Sequence, residues 1–199
     1  MSTAGEDQHS VTTQLNIHYI RAAMLGDELR ATALGLLRYS LSSHLAGTYH
    51  TTDSDTFRWG HTWISALGVE RMMHGVEALR DLLTPDDNAM LRAMLLSESD
   101  WLLDEYPVTA DPVSPNHPES NMWNGALLWR TALRYPDAPR AAAYREKGTR
   151  FLLNAISIPS DKNSSRVFDG RPLADWHVGA NFFESYGCNH HGYMNVGYM

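Results

Sequence analysis

Residues 84–106 read TPDDNAMLRAMLLSESDWLLDEY and predict a helix with a marked beginning. Thr84 and Pro85 end the preceding segment, and the two aspartates that follow are typical of a first helical turn, where they compensate the helix dipole. We predict a helix from about Asp86 to Tyr106. Apolar residues recur at three- and four-residue steps on both sides of it, which predicts further helices over about 13–45, 60–83, 121–135 and 139–156, and another that begins near 190. No alternating pattern predicts a strand, so we expect an all-α fold.

Polar and proline-rich segments separate the predicted helices. Residues 1–12 are predicted to be disordered, and residues 107–118 and 157–176 are predicted to be loops. Ser120 is a suitable N-cap for the helix that starts at Asn121. We therefore expect a disordered N-terminus followed by one domain over 13–199.

Composition excludes several classes of function. The chain has 199 residues and a formal net charge of −7, which makes a nucleic-acid partner unexpected. Its one cysteine, Cys188, excludes an internal disulfide framework. No apolar run reaches the length that a bilayer span needs, and residues 1–10 lack the basic and apolar regions of a secretory signal. These features predict a cytoplasmic protein with no membrane partner.

Three polar clusters stand where predicted helices begin. They are Trp59-Gly-His61, Asn121-Met-Trp-Asn124 and Asn189-His-His191. Clusters of this kind converge if their helices lie side by side and run in the same direction. Inner helices have that arrangement in an α/α toroid, so we expect an incomplete (α/α) toroid of helical hairpins.

The segment from Glu184 to Tyr198 carries the strongest functional signal. It reads ESYGCNHHGYMNVGY and holds two histidines, two asparagines and three tyrosines. His191, Asn195 and Tyr198 are spaced i, i+4, i+7, so a helix would place them on one face. These side chains can neutralise an anion and transfer a proton, which predicts the wall of an active-site cleft.

The motif Asn189-His190-His191-Gly192, followed by an aromatic residue, resembles the Asn-Asn-His-Gly signature of alginate-lyase-like and heparinase II/III-like polysaccharide lyases. Asn121-Met-Trp-Asn124-Gly also resembles the start of an inner helix in that superfamily. These enzymes have incomplete α/α toroids and cleave uronic-acid polysaccharides by β-elimination. His190 is a departure, because the family usually has asparagine there. The family's catalytic tyrosine lies well downstream of the signature, so the resemblance implies a chain that continues beyond Met199.

The resemblance implies roles for individual residues. His191 would be the base or would neutralise the substrate carboxylate, with Asn189 and Asn124 as hydrogen-bond donors. His190, Tyr193 and Tyr198 are further catalytic candidates, although neither tyrosine stands at the family's usual position. The candidates for substrate contacts are Arg58, Trp59, His61, Asn121, Trp123, Asn124, His177 and Glu184. The implied partner is an anionic oligosaccharide or polysaccharide, and the chemistry requires no metal and no organic cofactor.

Three alternatives remain open from the sequence. A glycoside hydrolase on the same toroid needs two carboxyl groups, for which the candidates are Asp53, Asp55, Glu119 and Glu184. A zinc site could use the imidazoles of His61, His177, His190 and His191 and the carboxylate of Glu184, but the chain contains no H-E-x-x-H spacing. A helical scaffold would bind protein partners on a concave face, although the sequence shows no repeat period.

Overall fold

The computed structural model describes residues 26–49, 58–111 and 117–184, and the chain divides into two compact units between Trp101 and Leu102. Six α-helices dominate the described residues, together with one 3-10 helix and two short strands, so the all-α prediction is confirmed. The elements are α1 (Asp27–Ser43), α2 (Ser65–Ala78), α3 (Pro85–Asp104), α4 (His117–Arg134), α5 (Ala141–Ala155), the 3-10 helix (Pro159–Asn163), β1 (Val167–Phe168), β2 (Arg171–Pro172) and α6 (Leu173–Trp176).

Two predicted helix beginnings were wrong. The helix expected from residue 60 begins at Ser65, and the helix expected from Asn121 begins at His117. Ser120 is therefore not an N-cap but a buried residue inside α4. The prolines before residue 119 suggested a loop, yet Pro118 occupies the first turn of α4, where a missing N–H costs no helical hydrogen bond. Neither the Trp59–His61 cluster nor the Asn121–Asn124 cluster stands at a helix start.

A small hairpin corrects the prediction that residues 157–176 form only a loop. β1 pairs antiparallel with β2, with Val167 opposite Pro172. Asp169 and Gly170 form the turn with φ of 47° and 76°, the positive values that a tight hairpin turn requires. Each strand has only two residues, which is too short to produce an alternating pattern in the sequence.

The first unit holds α1, α2 and most of α3, whose buried side chains form its core. These include Leu37 and Leu41 of α1, Val69 and Met73 of α2, and Leu95 of α3. A single short apolar stripe on each helix supplies these residues, as expected for helices that cover one core.

Asp87 fixes the beginning of α3 and also joins it to α1. Its carboxylate accepts the backbone N–H of Thr84 at 2.9 Å, and its own N–H donates to the Thr84 hydroxyl at 3.2 Å. Arg38 donates Nε and Nη2 to the two carboxylate oxygens, each at 2.8 Å. The hydrogen bond from Arg38 is the main reason that the pKa of Asp87 falls to about 2.

Replacement of Asp87 by asparagine is expected to lower the free energy of unfolding by about 2 kcal/mol at pH 7, since it removes a cap and a charge-assisted pair. Because the folded-state pKa lies below the unfolded value of 3.8, this stability is present above pH 4 and is lost as the pH falls through 2. Urea denaturation at pH 7, 4 and 3 measures it, with Asn163→Asp as a surface control. If the difference in unfolding free energy between wild type and variant is as large at pH 3 as at pH 7, this account is contradicted.

The second unit is built on close contact between α4 and α5. A Cβ placed on Gly125 would lie 2.7 Å from the Leu152 side chain and 2.9 Å from the Gly148 carbonyl oxygen. These distances are too short for any side chain, so the two helices require glycine at this crossing. Leu127, Leu128, Tyr144 and Phe151 fill the buried space on either side.

Among the helices of the described ranges, none combines the length and the apolar character that crossing a membrane requires.

Candidate functional site

A buried carboxylate organises the polar cluster of the first unit. Glu98 of α3 and His44, immediately after α1, have no exposed side-chain surface. His44 Nε2 lies 2.8 Å from Glu98 Oε1, and His44 Nδ1 accepts the backbone N–H of Ala46 at 2.9 Å. Since Nδ1 accepts a hydrogen bond, Nε2–H is the ring donor to Glu98.

Glu98 accepts two more hydrogen bonds, which keep it ionised. The backbone N–H of His61 donates to Oε1 at 2.8 Å, and the Ser65 hydroxyl donates to Oε2 at 2.6 Å. Burial alone would raise the pKa of the Glu98 carboxyl, but the hydrogen bonds from His44, Ser65 and His61 outweigh burial and lower that pKa. This fully bonded anion anchors the segment before α2, and it leaves no free group for catalysis.

Arg58, Trp59 and His61 belong to the segment that this carboxylate anchors through the backbone N–H of His61, and each has an internal partner. Arg58 donates to the carbonyl oxygens of residues 45 and 47 at 3.0 and 2.8 Å. Trp59 Nε1 donates to the Ser40 carbonyl oxygen at 2.8 Å. His61 stacks on Trp101 with ring centroids 5.6 Å apart, and its Nε2 lies 3.0 Å from the Ser97 hydroxyl. These contacts stabilise the unit, and the roles of all three residues in substrate binding stay predictions.

Gly60 allows this cluster to form. Its φ is 123°, and a Cβ at this position would lie 2.5 Å from His44 Nε2 and 2.7 Å from Glu98 Oε1. The backbone can therefore approach the hydrogen-bonded pair only because no side chain is present. His61 follows with a φ of 52°, a left-handed conformation that is uncommon for residues other than glycine.

A network of asparagines joins three segments of the second unit. Asn154 Nδ2 donates to the Trp176 carbonyl oxygen at 2.8 Å, and its Oδ1 accepts the backbone N–H of Val178 at 2.9 Å. Asn181 Nδ2 donates to the carbonyl oxygens of Asn154 and Thr109, and its Oδ1 accepts the N–H of Asp111 at 3.0 Å. Sequence reasoning missed both Asn154 and Asn181, because an isolated asparagine carries no pattern.

Asn121 and Asn124 are fully buried in α4, and their amide groups are incompletely bonded. Asn121 Nδ2 donates to the Thr109 carbonyl oxygen at 2.8 Å, the same oxygen that Asn181 reaches at 3.3 Å. Within the described residues, Asn121 Oδ1 and both polar atoms of the Asn124 side chain have no hydrogen-bond partner. Such atoms are rare in native interiors, because each costs about 1–3 kcal/mol.

The other predicted substrate contacts of the second unit differ in burial and in hydrogen-bond partners. Trp123 and His177 are half-buried, and within the described ranges the buried His177 Nδ1 has no hydrogen-bond partner. Glu184 Oε2 accepts the backbone N–H of Ser160 at 2.9 Å, at the start of the 3-10 helix. Glu119 is half-buried in the first turn of α4. The hydrolase hypothesis gains no pair of free carboxyl groups from Glu119 and Glu184.

Several predicted residues lie outside the described residues. They are the hydrolase candidates Asp53 and Asp55, and the catalytic candidates Asn189, His190, His191, Tyr193 and Tyr198. Over 26–49, 58–111 and 117–184, no group of three or more histidine, cysteine, aspartate or glutamate side chains could hold a metal ion.

Comparisons of this chain with protein-family models, with curated proteins and with solved structures found no match.

Proposed function

We propose that this chain is part of a polysaccharide lyase that cleaves uronic-acid glycans by β-elimination, and that its helices form part of an (α/α) toroid. The observation that carries the proposal is the pair of buried, incompletely bonded amides of Asn121 and Asn124 on α4. A buried amide without a partner among the described residues is an oriented dipole, and such dipoles stabilise charge that develops in a transition state.

β-Elimination needs groups of this kind. The reaction removes the proton alpha to a uronate carboxylate and expels the oxygen at C4, so negative charge grows on the carboxylate. Asn124 has no exposed surface in this structure, so a movement of its neighbours would have to uncover its N–H, which would then donate to that carboxylate and stabilise the charge. His191 would then take the proton as general base, with a tyrosine as the acid that protonates the leaving oxygen. The signature at 189–192 supports these roles by resemblance.

The direct test is a product assay. The full-length protein that contains this chain would be incubated with alginate, hyaluronan and heparin, and ultraviolet absorbance would report the unsaturated uronide that only elimination produces. We expect His191→Ala to lower the rate by about 10²–10⁴-fold. His74→Ala, an exposed histidine of α2, is the matched control and should retain activity. Hydrolysis products without a double bond, or full activity in His191→Ala, would overturn the proposal.

Asn124→Leu is expected to raise stability and to lower the rate of elimination. Because the variant removes an amide that has no partner among the described residues, we expect the free energy of unfolding to rise by about 1 kcal/mol. The rate of elimination should fall by about 10²-fold, since a donor to the developing charge is lost. Urea denaturation and the absorbance assay measure the two effects.

Asn163→Leu, at an exposed position in the 3-10 helix, is the control and should alter neither quantity by much. A variant of Asn124 that loses stability by more than about 1 kcal/mol and keeps its activity would show that the amide has a structural partner. Such a result would count against its role in elimination.

A further inference from the structure

A pocket in the second unit is lined, among the described residues, by none of the candidate site residues. Its volume is about 510 Å³, within the range of small-molecule sites. It is lined by Leu103 and Val108, by Val178, and by Ala143, Glu146, Lys147 and Arg150 of α5. The described walls are therefore aliphatic, and the charged groups among the described lining residues all come from one helix.

The charges of the lining favour an anion. Lys147 and Arg150 are three residues apart, so they share one face of α5. Glu146 is the one acid among the described residues of the lining, and Arg171 Nη1 lies 3.2 Å from its carboxylate. Asp104, beside Leu103, is bound by two nitrogens of Arg140. Both of these carboxylates are thus already paired with another arginine.

Both cations retain unused donors. Lys147 Nζ donates to the Leu103 carbonyl oxygen at 2.9 Å and lies 5.7 Å from the centre of the Phe151 ring, so one of its three N–H groups is used. For the Arg150 guanidinium, no hydrogen bond or ion pair is found within the part of the chain that the structure describes. Burial lowers the pKa of Lys147, which Asp104 offsets only in part, and this indicates an ammonium that is incompletely solvated.

We propose that this pocket binds a small carboxylate with an aliphatic body, whose carboxylate pairs with Lys147 and Arg150 while its chain packs on Leu103, Val108 and Val178. A guanidinium fork matches the two oxygens of a carboxylate. The aliphatic walls offer few groups for the hydroxyls of a sugar, so a uronate is a poorer fit. The inference is independent of the proposed lyase activity, because it is tested by binding alone.

Isothermal titration of the full chain with hexanoate tests the proposal, with hexan-1-ol and acetate as probes that lack the charge or the chain. We expect hexanoate to bind at least about 10-fold more tightly than either. Arg150→Gln and Lys147→Gln should each weaken hexanoate binding about 10-fold and leave hexan-1-ol unaffected. Arg166→Gln, an exposed arginine outside the lining, is the matched control and should bind as wild type does.

A steric variant keeps the test decisive if a charge variant folds poorly. Ala143→Leu should fill the pocket and abolish binding of hexanoate without a change in charge, with thermal unfolding to show that the fold persists. Equal affinity for hexanoate and hexan-1-ol, wild-type affinity in Arg150→Gln, or retained binding in Ala143→Leu would each overturn the proposal. Tighter binding of glucuronate than of hexanoate would overturn the choice of an aliphatic ligand.

Discussion

Replacement of Glu98 by leucine is expected to lower the free energy of unfolding by about 3–5 kcal/mol, because it leaves two buried donors unsatisfied at about 1–3 kcal/mol each and removes a further hydrogen bond. The change leaves His44 Nε2–H and the backbone N–H of His61 without an acceptor. The Ser65 hydroxyl is less affected, because the Thr62 carbonyl oxygen at 2.9 Å can accept its hydrogen bond. Urea denaturation at pH 7 measures the loss.

Glu98→Gln removes the negative charge but keeps the size and shape of the side chain, so it measures the effect of the charge alone. Its amide oxygen can still accept from His44 and His61, and its NH₂ group can donate to Ser65, which turns to Thr62. We expect a loss of about 1–2 kcal/mol. Glu105→Gln, an exposed residue just after α3, is the control. A loss below about 1 kcal/mol in the leucine variant would refute the anchoring role of Glu98.

Asn181→Asp is expected to cost about 3–5 kcal/mol at neutral pH, although the two side chains have the same shape. Asn181 Nδ2 donates to two carbonyl oxygens, those of Asn154 and Thr109. A carboxylate oxygen in its place would face both carbonyls, in a site with no exposed surface. Such a group would be a buried anion without a donor on that side.

The same variant should regain stability in acid. Once protonated, the introduced carboxyl group can donate one hydrogen bond, so its folded-state pKa must lie above its unfolded value. The unfolding free energy of the variant is then closest to that of wild type below the unfolded-state pKa. It falls below the wild-type value as the pH rises through the folded-state pKa. Unfolding free energies at pH 7 and pH 4.5, each taken relative to wild type, measure this trend. The control Asn163→Asp should show no such trend. If the difference in unfolding free energy between Asn181→Asp and wild type is no smaller at pH 4.5 than at pH 7, the role of the Nδ2 donor is refuted.

The predictable part of the fold was the part with a repeating apolar pattern. The helix predicted over Asp86–Tyr106 is observed over Pro85–Asp104. The prediction was close because the first-turn residues and the apolar pattern indicate the same helix. The predicted start of α4 was wrong because proline at position 118 was taken to indicate a loop, although the first turn of a helix tolerates proline. The hairpin at 167–172 was missed, and only Asp169-Gly170 could have indicated it.

The candidate site was predictable by residue type but not by environment. Asn121 and Asn124 were selected for their place in a motif, and the structure adds that both are buried and that polar atoms of both amides lack partners among the described residues. Arg58, Trp59 and His61 were selected as substrate contacts, yet they belong to a segment that is anchored by a carboxylate of α3 that the sequence did not indicate. Glu98 sits in a helix beside ordinary polar residues, and a single glutamate has no spacing that would reveal three converging donors.

The close crossing at Gly125 and Gly148 has a consequence for how the second unit folds. α4 and α5 are neighbours in the chain, joined by residues 135–140, so bringing them together closes a short loop at small entropic cost. Contacts of such short sequence separation form early and rapidly. We therefore expect this helical pair to be structured in the folding transition state. In native-state hydrogen exchange, its central amides, those of Leu128 and Phe151, should open last.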